Sequence, residues 1–142
     1  MKPRNRPCSS CPYRRDCPSG VWAEEEYRKL LAYDGDTNEQ VSKRAFGVFC
    51  CHQGTSEICA GWAAVHGDYD CLALRVAASM DPAVDVKAVL DYTTDVPLWP
   101  SGTAAAEHGL RDIENTSPAA RETVRKISTV RRLSGNPVKY RE

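Results

Sequence analysis

Within its first 18 residues the chain places three cysteines and four prolines, in the run Pro7-Cys8-Ser9-Ser10-Cys11-Pro12-Tyr13-Arg14-Arg15-Asp16-Cys17-Pro18. Proline lacks the backbone N–H and fixes φ, so neither a helix nor a ladder strand can run through such a segment. The N-terminal region must therefore be held by something other than regular backbone hydrogen bonding. Cys8 and Cys11 form a C-x2-C knuckle, a spacing at which two thiolates can grip one metal or cluster from a single tight turn. Four more cysteines follow, at Cys50, Cys51, Cys59 and Cys71. The total of seven is odd, which argues against a framework built only of disulfides.

No stretch approaches the ~18 apolar residues of a membrane span, and the basic opening Met1-Lys2-Pro3-Arg4 lacks the apolar run of a secretory signal. We therefore expect a cytoplasmic protein with no membrane partner. In that reducing setting cysteines bind metal or do chemistry more often than they pair. Soft thiolate donors suit zinc or an iron–sulfur cluster, not magnesium or calcium. The second half of the set is not a knuckle, since Cys51 and Cys59 are eight apart, and proline directly follows Cys11 and Cys17. Those features fit cluster ligation. The expected cofactor is a [4Fe–4S] cluster, with zinc as the alternative. Cys8, Cys11, Cys51 and Cys59 are the expected ligands, and Cys17, Cys50 and His52 are alternates. Cys71, inside the apolar Cys71-Leu72-Ala73-Leu74, reads as a small core residue. Trp22, Trp62 and Trp99 would serve either as an apolar lid over the site or as ordinary core. His66 reads as a packing residue and His108 has no evident partner.

The 142 residues suit one domain. Element patterns predict an α+β, mostly helical chain: a cysteine-rich region over 1–80 and a helical extension over 81–142. Helices are expected over 23–33, 59–66, 70–80, 82–92 (Asp81 as cap, Pro82 in the first turn) and 103–113, with a short strand at 45–51. A last helix begins after Ser117 and ends before Gly135. Its Ala120, Val124, Ile127, Val130 and Leu133 share one face, with Arg121, Arg125 and Arg132 opposite.

Formal net charge is zero, yet it is segregated. Residues 1–15 carry five basic groups and no acid, and residues 117–142 carry seven basic and two acidic groups. The middle holds 17 acidic groups against 7 basic. The two basic ends are candidate surfaces for a nucleic acid or a protein partner, or could pair with the acidic middle. No Gly-x-Gly-x-x-Gly, P-loop or Gly-x-Ser-x-Gly is present, so nucleotide binding has no support. Four protein thiolates leave a metal no open position, which favours a structural or electron-transfer role over Lewis-acid catalysis.

Cys8-x2-Cys11-Pro12-Tyr13-Arg14, Pro18-Ser19-Gly20-Val21-Trp22, Cys51-His52-Gln53 and Cys59-Ala60-Gly61-Trp62 together resemble a cysteine-rich family of actinobacteria and their phages. That resemblance covers roughly residues 8–80. It implies four recurring cysteines, falling here on Cys8, Cys11, Cys51 and Cys59, and leaves Cys17 and Cys50 as extras. The family brings no established activity. Cys8-x2-Cys11-x5-Cys17 is also similar in spacing to three ligands of WhiB-like regulators, which bind [4Fe–4S] and end in a basic DNA-contacting tail. Their upstream cysteine is missing here, and Gly20-Val21-Trp22 is followed by Ala23-Glu24 instead of two glycines. Three functions compete: a cluster protein that is structural or senses redox state or iron, a zinc-stabilised interaction module, and a redox enzyme or electron carrier.

Overall fold

In the computed structural model, residues 1–54, 56–134 and 140 are described. Over them run α1 (Glu24–Arg28), a 3-10 turn (Lys29–Tyr33), α2 (Thr37–Ser42), α3 (Ala60–His66), α4 (Leu72–Met80), α5 (Val86–Leu90), α6 (Gly102–Leu110) and α7 (Pro118–Ser134). The fold is a small single domain, about half helical, less than the mostly helical chain expected from the sequence. The β component is corrected: among the described residues pairing is limited to isolated bridges such as Pro3 with Ile58 and Cys50 with Ile58. The stretch expected as a strand at 45–51 is irregular, because Ala45 and Phe46 bond back onto Gln40 and Arg44 in turns. No described helix is long and apolar enough to cross a membrane.

Helix ends are set locally. Glu24, Glu25 and Glu26 open α1, where carboxylates favour the positive end of the dipole. Asp36 and Glu39 form a reciprocal capping box on α2. The helix expected from Asp81 is displaced and shorter: Asp81 takes only the Ala83 amide in a turn, and Asp85 caps α5. Cys71 stands at the cap position of α4 and is buried, as a core cysteine should be.

The N-terminal loop is woven into the body. Ile58 donates to the Lys2 carbonyl and receives from the Arg4 amide. The Asp85 amide reaches the Met1 carbonyl. Pro18 to Trp22 docks on the end of α6: the Ser19 hydroxyl donates to the Gly109 carbonyl and accepts from the Asp112 amide. Tyr27, which is buried, fixes the same segment by accepting from the Val21 and Trp22 amides at 3.0 and 3.1 Å. α6 in turn packs on α1 and the 3-10 turn. Its start is tied down by Asp34, which accepts from the Gly102 and Thr103 amides.

α7 docks differently from its apolar pattern. Ala120 and Ile127 are buried, but Val130 is 50% exposed. The inner stripe continues through Arg131 instead, eleven residues on from Ala120 and four on from Ile127. The Leu133 side chain and Gly135 lie outside the described residues.

Gly109 sits where α6 meets α1, and a Cβ there would overlap the Tyr27 ring. Gly109→Ala should lower stability by about 1–3 kcal/mol, since the buried ring has nowhere to move. Gly47→Ala, whose Cβ would meet nothing within 4 Å, should stay within about 0.5 kcal/mol of wild type. Urea denaturation of both variants checks the pair.

Candidate metal centre

The knuckle forms because the prolines leave turns as the remaining option. The Cys11 amide bonds the Cys8 carbonyl, the Arg14 amide the Cys11 carbonyl, and the Cys17 amide the Arg14 carbonyl. Three successive turns roll residues 8–17 into a compact coil. The opposing face comes from the loop between Phe49 and α3. It is drawn closed by the Cys51 amide on the Glu57 carbonyl and the Cys59 amide on the Phe49 carbonyl, both at 2.8 Å.

Cys8, Cys11, Cys51 and Cys59 meet between these two segments as two pairs. The Cys11 and Cys59 sulfurs are 3.7 Å apart and buried. Cys8 and Cys51 interact electrostatically as the second pair, Cys8 also feels charge on Cys11, and Cys11 feels charge on Cys51. Among the described residues, no three His, Cys, Asp or Glu side chains are gathered closely enough to hold a metal ion as they stand. Cys8 is the half-exposed member of the set, opening on a recess with Arg4, Arg6 and Glu57.

The surroundings are built to carry negative charge on sulfur. A hydrogen bond from Cys8, the amides of Gln53 and Gly54 and the Arg4 guanidinium outweigh burial and pull the Cys51 thiol down to about 5. Arg4 Nη1 lies 3.6 Å from Cys51 Sγ. Cys11 is lowered likewise, first by Cys59 and then, against burial, by the amides of Tyr13 and Gly61. Their donors Cys8 and Cys59 are pushed up as each becomes the protonated half of its pair. Cys59 also accepts from the Trp62 amide at 3.4 Å, so this ligand position doubles as the cap of α3.

Gly61 explains the glycine in Cys59-Ala60-Gly61-Trp62. A Cβ there would lie 2.6 Å from Cys11 Sγ and 2.7 Å from Tyr13 Cβ. Ser10, Gln53 and Arg4, which sequence reasoning did not single out, support the site. Ser10 is fully buried, bonds Cys8 Sγ at 3.8 Å, receives the Gln53 amide, and takes the Trp22 indole N–H on its carbonyl.

The alternates stand apart. Cys17 Sγ bonds the Pro18 carbonyl, and Cys50 is exposed. His52 is buried with its Nε2 3.3 Å from Glu26 Oε2 and its ring between Trp22 and Phe49, at centroid distances of 4.3 and 4.9 Å. It braces the loop behind Cys51. The Glu26 carboxyl, itself pushed up by burial, is brought down to about 2 by its bonds to His52 and Lys29. Arg131 of α7 donates to the His52 carbonyl at 2.6 Å and lies over the Trp22 ring. Of the tryptophans, Trp22 and Trp62 are fully buried core, and Trp99 is half-buried beside His108 and Arg15. His108 bonds the Cys17 carbonyl. His66 is core as expected, 2.9 Å from the Tyr13 hydroxyl.

With that geometry in view, the chain belongs to the family of unknown function DUF6283, whose profile matches residues 3–131. The match extends well beyond the 8–80 span of the motifs and takes in the part of α7 that carries Arg131. No curated protein and no solved structure matches the chain.

Two measurements check the supports of the site. Arg131→Ala should cost about 1–3 kcal/mol, because it strips a buried carbonyl of a charged donor. Arg132→Ala, exposed one residue on, should change stability by less than about 0.5 kcal/mol. The second concerns His66, whose pKa burial lowers to about 4. A buried neutral histidine stabilises the fold above its unfolded pKa of ~6.5 and loses that contribution as pH falls toward the folded value. Wild type should therefore lose about 2–3 kcal/mol relative to His66→Gln between those limits.

Proposed function

We propose that this DUF6283 member is a metal-centred domain in which Cys8, Cys11, Cys51 and Cys59 hold an iron–sulfur cluster that ties the N-terminal loop to the helical body. The observation that carries this reading is the meeting of four thiols from two segments about 40 residues apart in sequence, amid amides and an arginine aimed at sulfur. Buried thiolates without such compensation would be costly.

The pairing bears on nuclearity. Two thiolates on one tetrahedral ion with bonds of about 2.3 Å stand about 3.8 Å apart. The Cys11–Cys59 separation of 3.7 Å fits two ligands of the same ion. In a [4Fe–4S] cluster each cysteine takes a different iron, which spreads the sulfurs further. In a [2Fe–2S] cluster each iron takes two cysteines, and pairs of the kind Cys11 with Cys59 and Cys8 with Cys51 suit it better. Zinc is the second reading, favoured by the same 3.7 Å separation; it would need the two pairs to close on one ion.

For the chain's own residues the roles follow from placement. Arg4 and the amides of Gln53, Gly54, Tyr13, Gly61 and Trp62 offset ligand charge. Ser10 and Gln53 orient the half-exposed Cys8 side. Four protein thiolates close the coordination sphere, so the centre is structural or electron-transferring, with no Lewis-acid position.

Anaerobic purification followed by metal and sulfide analysis tests this. Cys8→Ala, Cys11→Ala, Cys51→Ala and Cys59→Ala should each remove most of the bound metal, whereas Cys17→Ala, Cys50→Ala and Cys71→Ala should not. A brown protein with equal iron and sulfide supports the cluster; a colourless one with one zinc supports the second reading. Full metal occupancy in both Cys8→Ala and Cys59→Ala would sink the site assignment.

A further inference from the structure

Away from the four thiols, a recess runs along α7. Gly20, Thr116 and Tyr140 form its other wall, and Arg121, Arg125 and Arg132 line it together with Val124 and Ser128, around a cavity of about 540 Å³. The three arginines are four and seven residues apart, so at 3.6 residues per turn they form one stripe, adjacent to the buried Ala120–Ile127–Arg131 stripe. Over its 17 residues α7 carries five cations and one carboxylate.

These cations are not spent on the acidic middle of the chain. Among the described residues, the one ion pair that Arg121, Arg125 or Arg132 makes is Arg125 with Glu122, within the helix. Arg121 rests on the Thr116 carbonyl, on the wall of the recess. Ala120, Ile127 and Arg131 hold α7, Arg131 bonding the His52 carbonyl and interacting with the Glu26 carboxylate of the acidic middle, so it is the outer arginines that stay unspent.

We propose that this recess binds the sugar–phosphate backbone of single-stranded nucleic acid. Three guanidinium groups along one side match successive phosphates, for which the bidentate arginine fork is suited. Tyr140 lines the same groove, half-buried and with the Arg131 guanidinium over one face of its ring, so a base would stack only on its other side. The shape selects the single strand: a duplex is read by a helix that protrudes into a major groove about 12 Å wide, whereas here the arginines flank a concavity. The inference is independent of which metal the thiols hold.

Fluorescence anisotropy of the full-length protein with a labelled oligothymidylate of about 16 nucleotides tests it. Wild type should bind, with a slope of log affinity on log salt near −2 for three phosphate contacts at about 0.7 each on a single strand. That corresponds to about a 15-fold loss between 50 and 200 mM salt. The triple change R121A/R125A/R132A should weaken binding more than about tenfold at the lower salt and flatten the slope. Its melting curve should match wild type, since all three are exposed. Glu122→Gln should strengthen binding by removing the carboxylate that competes for Arg125. The double change R28A/R75A, which removes two exposed arginines elsewhere, should leave affinity unchanged. The proposal is overturned if wild type does not bind at low salt, if R28A/R75A weakens binding as much as the triple change, or if a duplex of the same length competes better than the single strand. Metal content enters none of these readouts, so the two readings stand or fall separately.

Discussion

Bringing four ionisable sulfurs into a small interior is the constraint that the rest of this structure answers to. Sulfur can bear charge there only if donors face it, and the chain supplies them from backbone amides, one guanidinium and the partner thiols. The prolines of residues 7–18 make the knuckle affordable by denying that segment any competing secondary structure. Cys59 is at once a member of the thiol set and the cap of α3, so the position of the helix and the position of the thiol are one variable. Gly61 completes that coupling, because its missing side chain is the space Cys11 occupies.

From this centre, order spreads through single bonds between distant segments. Ser10 links Cys8 to Gln53 and to Trp22. Trp22 packs tilted against His52, and the His52 carbonyl receives Arg131 from α7. Trp22 is in turn fixed by Tyr27, whose ring rests on Gly109 of α6. A chain with two phenylalanines and two methionines has little else to fill a core, so tryptophan and tyrosine carry both packing and polar connection. The short strings of the sequence thereby acquire separate physical jobs: Pro18 to Trp22 docks on α6, Cys51 to Gln53 braces the loop, and Cys59 to Trp62 starts a helix.

Much of this was legible in the residues. The spacing of Cys8 and Cys11, and the isolation of Cys51 and Cys59, pointed to the segments that do meet. The last helix followed from its period and its caps, and the short helical stretches expected over 59–66 and 70–80 are found at 60–66 and 72–80. What failed, failed for physical reasons. The apolar run at 45–51 suggested a strand, but among the described residues its pairing is limited to the Cys50–Ile58 bridge, and a lone strand cannot satisfy its own backbone. α2 was missed although Asp36 and Glu39 spell a capping box, because its apolar content is one valine. Asp81-Pro82 mimicked a helix start that belongs to Asp85. Arg131 was unreadable from pattern, since a buried arginine looks like an interruption of an apolar face until its carbonyl partner is seen.

X-ray absorption at the metal edge of the purified protein addresses the central claim most directly. A centre held by Cys8, Cys11, Cys51 and Cys59 requires an all-sulfur first shell, about four neighbours at about 2.3 Å. An iron edge with a close second iron would identify the cluster, and a zinc edge without a metal neighbour the single ion. A first shell dominated by nitrogen or oxygen would contradict the account, because it would mean the four thiols are not the ligands.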